Sequence, residues 1–344
     1  MERVCLQEQE ERLKKYLGEV IMEPKVTILS PCYNVEAYIS HFLESIIMQN
    51  YHPIELILVN DGSTDNTEDI IFSYKERLEK EGIELKYFSK ENGGQASAIA
   101  LGIKHVTGEY LIWPDSDDFL LPNSIKKRVE YLKENPNCSI VRSNGYIYSE
   151  KDLKNPLRKA SKYNKIAYLK DFLCFSVPWM PLAYMIRMSC FDEMNPQRKI
   201  YISSAGQNIQ MILPVVYKYP CEYMEDALYG YVVHENSHSH KRQTYVKQAE
   251  RLDALQLCVE ETLKIISSDI QEFVDINKYF ILFCHCRTAW LHGETKEFEK
   301  YERILEQKGK TDFAIKVMKT MKPSRFSNLL IRIFNRMRNR KNAK

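Results

Sequence analysis

Short apolar runs and helical runs alternate along the first part of the chain, and this pattern constrains the fold most. The strands are expected at 26–30, 55–59, 85–89 and 110–113, and the helices at 37–50, 67–80, 95–105 and 124–134. The strand runs are apolar at consecutive positions, which is typical of parallel strands covered on both faces. The alternation therefore predicts an α/β fold, with a Rossmann-like, mostly parallel sheet flanked by helices.

Breaks in the pattern divide the chain into four regions. A charged N-terminal helix over 1–24 ends at Pro24, and the α/β domain spans 25–240. A helical C-terminal region covers 241–312 and a basic tail covers 313–344. The helical region shows one apolar stripe on a 3.6-residue period, made by Leu252, Leu255, Val259, Leu263 and Ile266.

The tail concentrates positive charge. No acidic residue follows Asp312, whereas ten basic residues do, so a net charge of +3 for the chain leaves the first 312 residues at −7. After Pro323 an apolar stripe is formed by Phe326, Leu329, Leu330, Ile333, Phe334 and Met337. A basic amphipathic helix of this kind is expected to contact a membrane surface, although the stripe could instead dock on the body. The acidic body argues against a nucleic-acid partner.

The remaining composition points to the cytoplasm. The N-terminus has no apolar core of a secretory leader. The longest mostly apolar stretch, Phe172–Ile186, has only 15 residues and contains two prolines, which makes it too short for a spanning helix. Nine scattered cysteines without a metal-type pair indicate a reduced chain. We therefore expect a cytoplasmic protein that is peripheral on the inner face of the cell membrane.

Polar loops follow three of the expected strands, over 31–34, 60–65 and 114–118. The carboxyl ends of parallel strands meet at one edge of a sheet, so these loops are expected to form a ligand crevice. The chain has neither GxGxxG after its first strand nor GxxxxGK[ST], which removes the main signatures of dinucleotide redox enzymes and P-loop enzymes.

The third loop is strongly acidic. Asp115, Asp117 and Asp118 place three carboxylates in four residues directly after an apolar strand. Hard oxygen ligands in this arrangement favour Mg²⁺ or Mn²⁺, which often bridge to substrate phosphates. The alternative is a helix start, which Asp118 and Asn123 could cap.

Four segments taken together resemble the family 2 glycosyltransferases. They read VTILSPCYN at 26–34, ELILVNDGSTD at 55–65, ENGG at 91–94 and GEYLIWPDSDD at 108–118. The resemblance covers about residues 25–240. It implies a GT-A fold and an inverting transfer of a sugar from a nucleotide-diphosphate donor, with Mn²⁺ or Mg²⁺ as cofactor.

The resemblance also assigns roles by position. Asp61 matches the residue that reads the base, usually uracil, and Asp115 and Asp117 match the DxD metal motif. His240 lies in a segment that resembles the one closing over the diphosphate. The nucleotide-sugar ligands implied are Pro31, Tyr33, Asn34, Glu36, Asp61, Asn92, Gly93, Asp115 and Ser116. Ala100 stands where the family often has Asn.

The chain departs from the family where the general base is expected. Gln207 and Asn208 occupy the position of a Glu-Asp pair, and an amide cannot take a proton at pH 7. The amides could orient the acceptor while another carboxylate acts as base, the match could be shifted, or the protein could be a poor catalyst. We favour the first interpretation, with Asp226 as a candidate base among the nearby acids Glu222, Glu225, Asp226 and Glu235.

The sequence thus predicts a glycosyltransferase that uses a UDP-sugar and a glycan or lipid-linked glycan acceptor in surface polysaccharide synthesis. A nucleotide-sugar-binding scaffold that has lost its base is the main alternative. A nucleotidyltransferase would need an early basic phosphate loop, which 30–34 does not offer.

Overall fold

The computed structural model describes residues 23–161, 164–234, 243–309 and 313–324. The expected N-terminal helix over 1–24 lies almost wholly outside these residues, as do the apolar stripe of the tail, Glu235 and His240.

Nine strands and twelve α-helices are present in the described part of the chain. The strands are β1 Val26–Cys32, β2 Ile54–Asn60, β3 Ile83–Ser89, β4 Tyr110–Ile112, β5 Phe119–Leu120, β6 Ile140–Ser149, β7 Arg158–Lys159, β8 Tyr184–Arg187 and β9 Glu222–Val233. The helices are α1 Ile39–Ile47, α2 Thr67–Ser73, α3 Lys75–Lys80, α4 Gln95–Gly102, α5 Ser124–Glu134, α6 Leu169–Leu173, α7 Met188–Met194, α8 Gln207–Val216, α9 Tyr245–Ile266, α10 Gln271–His292, α11 Thr295–Gln307 and α12 Phe313–Thr320.

The strands form one sheet in the order β3-β2-β1-β4-β8-β6-β9-β5, with β7 paired to β6. The first four strands are parallel to one another, and β6 and β9 also pair in parallel. The pairings of β8 with β4 and β6, of β5 with β9, and of β7 with β6 are antiparallel. Every residue of β1 and β2 is buried, as their apolar runs predict. The α/β expectation is confirmed, and the strands after residue 134 are additions that the sequence pattern did not indicate.

Helices from the C-terminal region complete the core of the sheet. Val259 and Leu263 of α9 and Val274 of α10 belong to the same buried cluster as β1 and β2. A second cluster joins α10 to the two helices that follow it, through Phe283, Trp290, Leu305 and Met318. None of the described helices combines the length and the apolar character needed to cross a membrane.

Candidate active site

Hydrogen bonds tie the loops after β1 and β2 to each other. Asn34, at a φ of +51°, accepts from the backbone N–H of Thr64 at 2.8 Å. The N–H of Glu36 donates to the Asp65 carboxylate at 3.0 Å. Tyr33 is 51% exposed beside them. The structure therefore gathers three of the predicted nucleotide ligands, Tyr33, Asn34 and Glu36, on one cross-linked surface.

Asp61 organises the turn before α4. Its buried carboxylate accepts from Lys90 Nζ at 2.6 Å and from the N–H groups of Gly93 and Gly94 at 3.0 and 2.7 Å. Asn92 is exposed in the same turn. Asp61 therefore holds the turn that contains the predicted ligands Asn92 and Gly93 at the end of β2.

Two serine hydroxyls fasten the acidic loop to the end of β1. Ser116 Oγ donates to the carbonyl of Pro31 at 2.9 Å, and Ser30 Oγ donates to the carbonyl of Pro114 at 2.8 Å. Both serines are buried. Pro31 and Ser116 thus fix the position of Asp115 through backbone contacts.

Asp115 is connected to the start of α8 by a chain of amides. Gln207 Nε2 donates to Gln95 Oε1, and Gln95 Nε2 donates to Asp115 Oδ1. Burial, together with the nearby Asp117 carboxylate, raises the pKa of Asp115 to about 7. The hydrogen bond from Gln95 lowers this pKa but does not outweigh the other two effects. Asn208 Nδ2 donates to the carbonyl of Trp179 at 3.3 Å. The amides at the expected base position are therefore both engaged in hydrogen bonds within the protein.

Asp117 faces a histidine that the sequence reasoning did not single out. His234 Nε2 lies 3.2 Å from Asp117 Oδ2, and its Nδ1 lies 3.0 Å from Glu150 Oε2. The hydroxyl of Tyr38 donates to the same Glu150 oxygen at 3.3 Å. The pKa of His234 is raised, chiefly by the contact with Asp117 and further by Glu150, whereas burial acts to lower it. His234 begins residues 234–240, the segment that also contains the predicted residue His240, and this place in the sequence is the one signal that could have indicated His234.

Asp118 has a different role from the other two acids of the loop. Its side chain is buried, and Oδ1 accepts from the N–H of Val232 at 2.8 Å. Burial, with Asp117 and Asp115 nearby, raises the pKa of Asp118 well above its ordinary value. Asp118 therefore anchors β9 through the hydrogen bond from Val232, which leaves Asp115 and Asp117 as the candidate cation ligands of the loop.

The remaining carboxylates fit a divalent cation that is shared with a substrate. Asp115 and Asp117 offer hard oxygen donors, which Mg²⁺ and Mn²⁺ prefer. No group of three or more His, Cys, Asp or Glu side chains able to hold a metal ion occurs within the described ranges. Two protein ligands suit Mg²⁺-type sites, which keep water and substrate phosphate in the other positions.

A cleft of about 1050 Å³ opens beside this loop. Asp115 and Gln95 form one side and the first turn of α8 another. Phe175 and Trp179, with ring centroids 5.5 Å apart, form an aromatic wall. The face of α9 that borders the cleft supplies Lys247, Glu250, Arg251 and Leu255.

Asp226 does not line the cleft. It forms an exposed ion pair with Lys127 of α5. Glu225 pairs with Lys159 in the same surface region. Apart from Asp115, the carboxylate that lines the cleft among the described residues is Glu250. The sequence pattern gave no reason to select Glu250, because it lies on a helix beyond the resembling segments.

The sequence of the central part of the chain matches a known family. Residues 27–190 match the model described as Glycosyl transferase family 2. An uncharacterized glycosyltransferase of Rickettsia felis is 32% identical over 190 residues, which cover 52% of this chain and 30% of the relative. The chain spans about a third of the length of the first curated relatives that it matches.

Two solved structures share the fold. Staphylococcus aureus TarS 1-349, in complex with UDP-GlcNAc, has a TM-score of 0.55 at 14% identity, covering 82% of this chain and 92% of the TarS 1-349 chain. The mannosyltransferase PcManGT of Pyrobaculum calidifontis, in complex with GDP-Man and Mn²⁺, has a TM-score of 0.50 at 15% identity, covering 86% and 81%. The GT-A architecture expected from the sequence is therefore confirmed. Residues 27–190 form a glycosyl transferase family 2 domain.

Proposed function

We propose that the protein transfers a sugar, with inversion, from a nucleotide-diphosphate donor to a hydroxyl group of a glycan or lipid-linked glycan. The observation that carries this proposal is the acidic loop, which borders the cleft while Ser116 fastens it to the nucleotide loops and Gln95 to α8. TarS and PcManGT, which have the same fold, bind UDP-GlcNAc and GDP-Man. We take UDP as the nucleotide, as the sequence resemblance implies.

A divalent cation belongs to this proposal. Asp115 and Asp117 would hold it, and PcManGT contains Mn²⁺. When bound, Mn²⁺ or Mg²⁺ would neutralise negative charge on the diphosphate leaving group. The chain itself positions Asp115 through Gln95 and keeps Asp117 beside His234.

The acceptor hydroxyl needs a proton acceptor other than Gln207 and Asn208. A general base must reach the proton that it removes. Glu250 lines the cleft, whereas Asp226 is engaged with Lys127 at the surface. We therefore assign the base role to Glu250 in place of Asp226, with Gln207 and Asn208 as orienting groups.

Release of UDP from a panel of UDP-sugars tests the donor and metal assignments together. Wild type is expected to release UDP from one sugar in a Mn²⁺-dependent manner, and Asp117→Asn is expected to lower the rate by about 100-fold or more. Asp226→Asn is the matched control, because it neutralises an exposed aspartate outside the cleft. Equal losses in the two variants, or metal-independent release, would contradict the assignment.

One observation favours a second candidate, a nucleotide-sugar-binding scaffold. Gln207 and Asn208 are amides where the family has acids, and both are occupied by internal hydrogen bonds. The scaffold predicts tight UDP-sugar binding without turnover, even when lipid-linked and soluble glycans are both supplied. Turnover with any acceptor, lost on Glu250→Gln, would exclude it.

A role in surface polysaccharide synthesis at the inner face of the membrane rests on the basic sequence of residues 325–344. Deleting these residues is expected to reduce sedimentation with vesicles that contain anionic lipid. Neutral vesicles serve as the control. Unchanged binding to anionic vesicles would remove the membrane assignment and leave the transferase assignment intact.

A further inference from the structure

We propose that the N-terminal half of α9 carries a binding site for a phosphate group on the acceptor, formed by Lys247 and Arg251. This inference rests on the proposed function, since it assigns the phosphate to the sugar acceptor. It names the substrate class as a phosphate-bearing glycan or glycolipid.

The positions of Lys247 and Arg251 beside the cleft support this site. Lys247 and Arg251 both border the cleft that also contains Gln207 and Asn208 of α8. The two cations are four residues apart and therefore lie on one face of the helix. Glu250, the proposed base, borders the same cleft. A ligand that presents a hydroxyl to Glu250 would thus lie beside two positive side chains.

Lys247 and Arg251 form no ion pair with any residue that the structure describes. Further along α9, Lys264 pairs with Glu260 at 3.2 Å and with Glu261 at 2.8 Å. Lys264, away from the cleft, is thus paired with acidic residues of the protein, whereas the two cations beside the cleft have no such partner among the described residues.

The two positive charges are unfavourable together without a bound anion, because Glu250, three residues after Lys247, forms an ion pair with neither of them in the described part of the chain. Like charges at positions i and i+4 of a helix repel each other. The N-terminus of a helix carries partial positive charge, and the first turn of α9 contains no acidic residue. A phosphate held between Lys247 and Arg251 would relieve both effects. Local rules are commonly broken in this way at functional sites.

The phosphate could belong to the donor or to the acceptor. Under the proposed function, Asp115 and Asp117 would hold a divalent cation that neutralises the donor diphosphate. Lys247 and Arg251 lie on a helix outside the family domain, together with the proposed base Glu250. We therefore place an acceptor phosphate here, and the experiment separates the two sources.

Titration of inorganic phosphate onto the UDP-saturated full-length protein tests the site by calorimetry. The double variant Lys247→Gln/Arg251→Gln is expected to bind phosphate roughly tenfold more weakly than wild type, with the UDP affinity unchanged. Lys264→Gln is the matched control, since it removes a paired cation of the same helix. Without phosphate, the double variant should melt at the same temperature as wild type or above it, because a repulsion has been removed.

Equal phosphate affinity in wild type and double variant would overturn the proposal. A parallel loss of UDP affinity in the double variant would also overturn it, because the cations would then serve the donor diphosphate. If wild type binds no UDP or other nucleotide, the proposed function fails. The phosphate titration of the free protein then still decides whether the anion site exists.

Discussion

At the scale of single residues, Gln95 connects the acidic loop to the start of α8. Its amide donates to Asp115 and accepts from Gln207, so one side chain links two walls of the cleft. The substitution Gln95→Leu removes the hydrogen bond to the Asp115 carboxylate, an interaction worth about 1.5–3 kcal/mol. We expect turnover to fall about tenfold, and the Mn²⁺ concentration for half-maximal rate to rise.

Thermal melting of Gln95→Leu separates this effect from misfolding. Gln95 is partly exposed to the cleft, so its loss should leave the melting temperature nearly unchanged. A normal Mn²⁺ dependence in a stably folded variant would show that Gln95 does not position Asp115.

Candidate site residues that lie in local motifs could be predicted from the sequence. Asp115 and Asp117 could be identified because two carboxylates directly after an apolar strand are unusual on structural grounds alone. Gln95 and His234 could not, since they contact Asp115 and Asp117 from 20 and 117 residues away along the chain. Glu150 joins this group only through its contact with His234, 84 residues further along the chain. Such pairings arise only when the sheet brings distant loops together.

At the scale of elements, Glu55 ties three strands together. The carboxylate on β2 is fully buried and accepts from Thr27 of β1 at 2.6 Å, and Lys86 of β3 forms an ion pair with it. Thr107 donates through its N–H and its hydroxyl. Burial acts to raise the pKa of Glu55, but these hydrogen bonds outweigh it and leave the pKa lowered.

This pairing predicts a pH dependence of stability. A pKa that is lower in the folded than in the unfolded protein stabilises the fold above the unfolded pKa, and this contribution is lost as the pH falls through the folded value. Wild type should therefore lose stability below about pH 4.5 more steeply than Glu55→Gln. At neutral pH the variant should be less stable by about 2 kcal/mol.

Urea unfolding at several pH values measures both effects. Glu44→Gln is the control, because Glu44 pairs with Arg77 at a partly exposed site, where the pair should contribute less than about 1 kcal/mol. Parallel pH profiles for wild type and Glu55→Gln would show that Glu55 titrates normally.

Gly206 sets the direction in which α8 enters the cleft. It precedes Gln207 at a φ of +82°, and an added Cβ would lie 3.0 Å from Cys258 Sγ of α9. Gly206→Ala should therefore cost about 1–2 kcal/mol for the backbone conformation, plus the contact with Cys258. Turnover should fall as Gln207 and Asn208 are displaced.

Gly293→Ala provides the comparison for this prediction. Gly293 has a φ of +76°, with no atom within 4 Å of an added Cβ, so its substitution reports the backbone cost alone. Equal losses in unfolding free energy would show that the approach of α9 to Gly206 is not tight.

The sequence predicted the first half of the sheet better than the second, and β6 shows why. Its residues Arg142, Ser143 and Asn144 are buried although they are polar. Arg142 lies over the ring of Tyr223 at 4.6 Å, and Asn144 donates to the carbonyl of Ser161. Tertiary partners thus satisfy a strand that lacks the apolar alternation on which prediction depends. The helix expected over 67–80 is likewise divided at Tyr74.

At the scale of the molecule, α9 and the sheet share one core, so they should unfold together. Leu263 is fully buried in the main cluster, whereas Leu257 of the same helix is 45% exposed. Leu263→Asp should destabilise the protein by about 4 kcal/mol or more and abolish UDP binding, and Leu257→Asp should have little effect. Circular dichroism and UDP titration measure these outcomes. A Leu263→Asp variant that retains a folded nucleotide-binding sheet would show that the two regions fold independently.

The walls of the cleft come from two separate stretches of sequence. Gln95, Asp115 and Trp179 lie inside the family 2 domain, whereas the walls formed by α8 and α9 lie beyond its last matched residue, 190. Under the proposed function, exchange of the downstream stretch between related genes would alter the proposed acceptor side of the cleft and keep the proposed donor side. New glycosidic linkages could then evolve by recombination while the residues that would bind the activated sugar stay unchanged.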